Sequence, residues 1–153
     1  MKRACAAILC AVMVWTFAGC NICYMDLQGE KDEIWLADDI DFYMMWDADK
    51  SAVLGAAIVD GEHIDLDIGW SAGFTGNEVK IYPYPYPKEV RVRDLLLLWG
   101  LITKNGKDKY ILTISEADQQ YNKLFPEYDT IAITKYAESE IEWVDGWPVP
   151  IEG

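Results

Sequence analysis

Apolar and polar residues alternate with period two over residues 40–47 and again over 62–70, the second run following Asp60-Gly61, and this commits the chain to antiparallel sheet. Ile40, Phe42, Met44 and Trp46 share one face of a strand, with Asp41, Tyr43, Met45 and Asp47 on the other. Val53 to Val59 reads as a second strand. Glu62 to Trp70 returns from the turn with Ile64, Leu66, Ile68 and Trp70 on one face and His63, Asp65 and Asp67 on the other. Asp-Gly between two such runs is a strong short-range hairpin signal.

The same reading extends along the chain. Turns at Gly73 to Asn77 and at Asn105-Gly106 separate strands at about Val79 to Tyr84, Leu95 to Thr103, Tyr110 to Ile114 and Asp129 to Tyr136. A short first strand at Ile34-Trp35 brings the number to eight. Leu95 to Ile102 is almost continuously apolar, and Gly100 with the Asn-Gly turn behind it selects a strand buried on both faces over a helix. One segment is predicted helical. Ser115 and Asp118 resemble a capping box, Ala117, Tyr121, Leu124 and Phe125 share a face, and Pro126 ends it. At 153 residues the chain supports one domain with its own core. Eight strands joined by tight turns then give a mainly β fold, an antiparallel meander that removes its edges by closing into a small barrel.

Over residues 34–136 this strand pattern resembles the calycin or lipocalin-like class. The resemblance implies a hollow barrel that takes a small ligand, with Phe42, Met44, Trp46 and Trp70 lining its interior. An eight-stranded barrel is also compatible with an interior filled by side chains. In that case the domain is a non-enzymatic module that meets another envelope protein through its surface.

The first twenty residues carry a separate message. Lys2 and Arg3 open a basic start, Ala4 to Val14 is apolar, and Ala18-Gly19 narrows to small residues directly before Cys20. That is the layout of an export signal. Phe17-Ala18-Gly19-Cys20 resembles the lipobox of bacterial lipoproteins, which implies cleavage before Cys20 and a lipid on its sulfur. The expected organisation is a signal peptide over 1–19, a lipidated terminus and tether over 20–33, a β-barrel over 34–136 and an acidic tail with tryptophans over 137–153. Two or three acyl chains hold a protein stably where one does not, so palmitate-type acylation of Cys20 would make a lasting membrane anchor. An uncleaved membrane span or an ordinary secretory cut are the alternatives, and all three place the domain outside the cytoplasm. The lipidated reading puts it in the cell envelope, on the extracytoplasmic side of a bacterial membrane. Cys5 and Cys10 leave with the signal and Cys20 is modified, so Cys23 is left without a disulfide partner.

Charge narrows the partners. The sequence has 13 bases against 26 acids; losing Lys2 and Arg3 leaves 11 bases and a formal charge of −15. Such a chain is no nucleic-acid binder, and anionic lipid headgroups would repel it. Hydrophobic residues at 52% and aromatics at 13% separate it from disordered acidic tails.

Four features are candidates for chemistry. Tyr82-Pro83-Tyr84-Pro85-Tyr86-Pro87 cannot continue a sheet, since each proline lacks a donor, so it reads either as a rigid connector or as a stiff loop presenting Tyr84 and Tyr86 to a ligand. Acids cluster from Asp38 to Asp67, and Asp47-x-Asp49-x-Ser51 opens like a calcium loop, but Ala52 and Ile58 stand where a glycine and a bidentate glutamate are needed. The cluster reads as solvated turns and outward strand faces. His63, the one histidine, shares a face with Asp65, yet no nucleophile motif accompanies it. The tail 138–150 joins acids to Trp143 and Trp147, which either pack across a barrel end or anchor a partner. With one histidine, one free thiol and no phosphate-binding glycine pattern, no zinc site and no cofactor is expected. The chain is read as a binding protein and not an enzyme; a carboxylate-dependent hydrolase would need two acids held at a set separation in a cleft.

Overall fold

The structure, a computed structural model, describes residues 33–47, 49–72, 76–87 and 89–152. Eight strands close an antiparallel barrel in chain order: β1 (Glu33–Ala37), β2 (Phe42–Asp47), β3 (Ala52–Val59), β4 (Glu62–Ala72), β5 (Asn77–Pro83), β6 (Leu98–Lys104), β7 (Lys109–Thr113) and β8 (Thr130–Ala137). Closure is by β1 against β8, with Trp35 opposite Lys135. The tail adds a two-stranded ribbon, β9 (Ile141–Val144) and β10 (Trp147–Pro150).

The Asp60-Gly61 turn joins β3 to β4 as the sequence requires. Val59 pairs with Glu62, and the two turn residues take φ of 53° and 80°, the doubly positive geometry whose twist matches the flanking strands. From there the period of two sorts residues as expected. Phe42, Met44, Leu66 and Ile68 are buried inside, with Trp46, Ile64 and Trp70 packed against them.

Two expectations are corrected. The strand β6 is not buried on both faces: Leu98, Gly100 and Ile102 are buried, while Trp99, Leu101 and Thr103 are half-buried on the outside. The residues before it, Val92–Leu95, stay out of the sheet in a 3-10 turn, which is why the apolar run is longer than the strand. The segment 115–125 forms no α-helix, only a 3-10 turn at Gln119–Tyr121. The Ser115–Asp118 pair does form, with Ser115 Oγ 2.5 Å from Asp118 Oδ2 and 3.2 Å from the Asp118 amide. Asn122 then captures the chain: its amide group donates to the Phe125 and Tyr128 carbonyls and accepts from the Phe125 amide. These local bonds compete with helix continuation. They turn Leu124 and Phe125 into the barrel, where Phe125 meets Phe42 edge-on at 5.9 Å and closes that end.

The barrel is solid through its middle. Phe42, Met44, Leu66, Ile81, Leu98 and Ile133 are each at most 1% exposed, whereas a lumen wide enough for a ligand would leave them open to a water-sized sphere. Large and small side chains share the interior: Trp35 packs on Tyr110 at 4.2 Å, while Gly55, Ala57 and Gly100 point inward from β3 and β6. A Cβ at Gly55 would lie 2.1 Å from the Tyr43 carbonyl oxygen, so no other residue fits that close strand approach.

Candidate functional site

The five side chains singled out for ligand binding fall in three environments. Phe42 is a core residue in contact with other side chains, not with a cavity. Trp46 and Trp70 face inward at the opposite end of the barrel from Phe125, half-buried against the core. Tyr84 and Tyr86 lie outside at 37% and 38% exposure. The structure therefore does not gather them into one pocket.

What it gathers instead is the outer wall of β2, β3 and β4. The tyrosine-proline loop folds back over this wall. The Tyr84 amide donates to the Asp65 carbonyl at 2.8 Å, and the Tyr86 hydroxyl donates to Asp67, which points outward from β4. Tyr82 and Tyr86 rings lie 6.2 Å apart and stiffen the loop further. Burial first, and then the Asp67 carboxylate that accepts its hydrogen bond, push the Tyr86 phenol far above its usual range.

The tail packs on the same wall rather than across a barrel end. Its turn is Asp145-Gly146, with φ of 51° and 82°, a second doubly positive hairpin that brings Trp143 and Trp147 together. Both rings meet Tyr43 edge-on, at 5.7 and 5.1 Å, and Trp147 also stands edge-on to His63 at 6.2 Å. The cover explains why Ala56, which points outward from β3, is fully buried. Trp143 remains 43% exposed.

Between loop and tail lies a cleft of about 270 Å³ lined by Tyr43, Met45, Asp47, Lys50, Leu54, Asp65 and Tyr84. Its floor is apolar and its rim is charged. The Lys50 ammonium sits 5.1 Å above the Tyr84 ring and 3.5 Å from Asp47. Burial and the nearby Asp65 carboxylate raise the Tyr43 phenol above its usual value, so it stays a neutral donor. The Asp47 carboxyl is held below its usual range chiefly by the Lys50 amide, and its Oδ1 accepts from both the Asp49 and Lys50 amides at 3.0 Å. The Asp47 carboxylate is thus the brace of the β2–β3 turn. His63 Nε2 lies 3.0 Å from Asp65 Oδ1 on the exposed surface beside it.

Among the described residues no group of three His, Cys, Asp or Glu side chains is placed to hold a metal, and no helix is long and apolar enough to cross a membrane. Cys20 and Cys23 lie outside the described residues. Sequence reasoning missed Met45 and Leu54 because strand pairing brings them together, and Lys50 because the β2–β3 turn carries it to the cleft. Trp143 and Trp147 were named from the sequence, but the Asp145-Gly146 hairpin that sets them side by side was not. The chain matches no family model, no curated protein and no solved structure.

Proposed function

We propose that this chain is a lipid-anchored extracytoplasmic binding module that recognises a basic segment of an envelope partner through the outer wall around Tyr84. The observation that carries the reading is the packing of the barrel's middle, where Phe42, Met44, Leu66, Ile81, Leu98 and Ile133 are each at most 1% exposed; it favours recognition at the surface, where the aromatic wall has a cleft. Lys50 indicates what the cleft suits. An ammonium over a tyrosine face, beside a carboxylate, is the geometry that a partner's lysine or arginine would adopt on displacing it. The surrounding Asp65 and Asp67, on a chain whose acids outnumber its bases two to one, steer cations toward it.

The anchor rests on Cys20 and the small residues before it. The strand β1 begins at Glu33 on the rim that also holds the turns after β2, β4 and β6, so a tether arrives at that rim. The 12 residues from Asn21 to Asp32 reach at most about 40 Å when extended, enough to hold an acidic domain off its membrane. No cofactor and no catalysis enter this reading.

Site-specific photocrosslinking in cells tests it. A photoreactive residue at position 84 should give one dominant protein adduct that disappears when Asp65 and Asp67 are changed to Asn. The same probe at exposed Lys107 should not. Equal adducts from both positions, or an adduct indifferent to the two aspartates, would refute it. The anchor is tested separately, since Cys20→Ala should abolish alkyne-palmitate labelling and release the chain from membranes.

A further inference from the structure

A second cleft, on the wall of β5 and β6, has the opposite chemistry, and nothing in the partner reading uses it. Its volume is about 700 Å³, within the range of roughly 300–1,000 Å³ typical of small-molecule sites. Two loops are pinned over this wall by backbone bonds: the Leu97 amide donates to the Ile81 carbonyl at 2.9 Å, and the Lys123 amide donates to the Leu97 carbonyl at 2.8 Å. The cleft is therefore bounded by fixed backbone on both sides.

Three cations line it, Lys80, Arg93 and Lys123, with Asp94 as the one acid. That is a concentration of positive charge on a chain with only 13 bases against 26 acids. Lys80 is partly engaged, 3.6 Å from Glu78 and 4.5 Å above the Trp99 ring to which it is paired across the strands. Arg93 and Lys123 have no ion-pair partner among the described residues. Three aromatic side chains complete the lining: Tyr82, Trp99 and Tyr121, the last two tilted together at 5.7 Å. Leu96 is buried at its base.

The geometry points to a binding site for an acidic sugar, a pyranose chain bearing carboxylates, held by its ring faces on the aromatic side chains and by its carboxylates on Arg93 and Lys123. Each half of the lining selects one half of that ligand. Amphipathic aromatic faces take the C–H side of a sugar ring and leave its hydroxyls wet. A guanidinium fork takes a carboxylate in two parallel bonds, and an ammonium adds a point charge. Charge count sets the ligand's valence. After Asp94 and the Glu78 that holds Lys80, about one positive charge remains, which suits single carboxylates spaced along a chain and not a polyphosphate.

Isothermal titration of the purified full chain in mild detergent decides the matter, with a glucuronate trisaccharide, a glucose trisaccharide and inorganic phosphate as probes. The glucuronate should bind, and more weakly as salt rises. Arg93→Ala and Lys123→Ala should each weaken it about tenfold or more, the scale of one charged hydrogen bond, and Arg93→Lys should recover only part of the loss. Both residues are exposed, so the unfolding midpoint should not move. Absence of glucuronate binding would overturn the proposal. So would glucose binding as tight as glucuronate, which would leave the cations idle, or phosphate binding as tight, which would leave the aromatic platform idle.

Discussion

Replacing Asn77 by Leu should stabilise the barrel. Asn77 is the first residue of β5, points inward, and is 1% exposed. Among the described residues neither its Nδ2 nor its Oδ1 has a hydrogen-bond partner. A buried amide in that condition costs about 1–3 kcal/mol, because its bonds to water are lost and nothing replaces them. Leucine has a similar shape and no polar atoms, so the variant recovers that amount, and at about 4 °C per kcal/mol the melting temperature should rise by roughly 4–12 °C. Valine at the same position controls for overpacking, which would cost about 1–3 kcal/mol and mask the gain. The opposite control is Asn77→Asp, which places an ionisable group in the same unpaired setting and should destabilise strongly. Paired thermal and urea unfolding of the parent and the three variants is the assay. If Leu and Val both lower stability by more than about 1 kcal/mol, the amide is satisfied in solution by a bound water or ligand, and the reasoning fails.

Other contacts give three further expected outcomes. Gly55→Ala forces a Cβ to within 2.1 Å of a backbone oxygen and should lower the urea midpoint by the equivalent of about 2–3 kcal/mol; a change under about 0.5 kcal/mol would mean that β2 and β3 part freely. Tyr86 should be among the last phenols to ionise in an absorbance titration, and Asp67→Asn should bring it back toward the ordinary value of 10.0. Because its folded pKa is raised, its contribution to stability is complete below pH 10 and is lost as pH rises beyond that; a Tyr86→Phe variant with an unchanged alkaline limb would contradict this. Trp147→Ala removes the ring wedged between Tyr43 and His63. It should speed cleavage at Glu140 and Glu142 by a glutamate-specific protease while lowering the unfolding free energy by only about 1 kcal/mol, since the barrel closes without the ribbon.

The barrel was legible because its signals are local. Alternation reads out which side chains share a face, and Asp60-Gly61 sets a register from which Trp46, Val53 and Ile68 follow as an inward row. The failures are equally physical. The 115–125 segment has helical spacing, yet Asn122 offers the backbone three bonds within six residues that outcompete it. Asp145-Gly146 is the same dipeptide as Asp60-Gly61, but only four residues flank it on each side, too short a run for alternation to show. Whether the barrel is hollow could not be read at all. That depends on which inward residues meet across the interior, such as Trp35 with Tyr110 and Phe42 with Phe125, and those pairs lie 75 and 83 positions apart.

Strand pairing also accounts for the position of both clefts on the outside. A meander closes by pairing each strand with its neighbour, so outward residues of adjacent strands are brought together in rows: Tyr43 with Ala56 and Asp65, and Lys80 with Trp99. Once the interior is filled, these rows are rigid platforms on the outside, and each needs a wall to become a cleft. The chain supplies those walls from its longest connections. The tyrosine-proline loop bounds the acidic row, while the segments around Arg93 and Lys123 enclose the basic one. Segregating the two charges onto separate walls has a consequence for binding. A cationic partner near Tyr84 and an anionic sugar near Trp99 share no lining residue, so variants at one wall should leave the other wall's affinity unchanged to within about 0.5 kcal/mol. Coupling larger than that would mean that the loop 84–97, which reaches both walls, transmits one occupancy to the other.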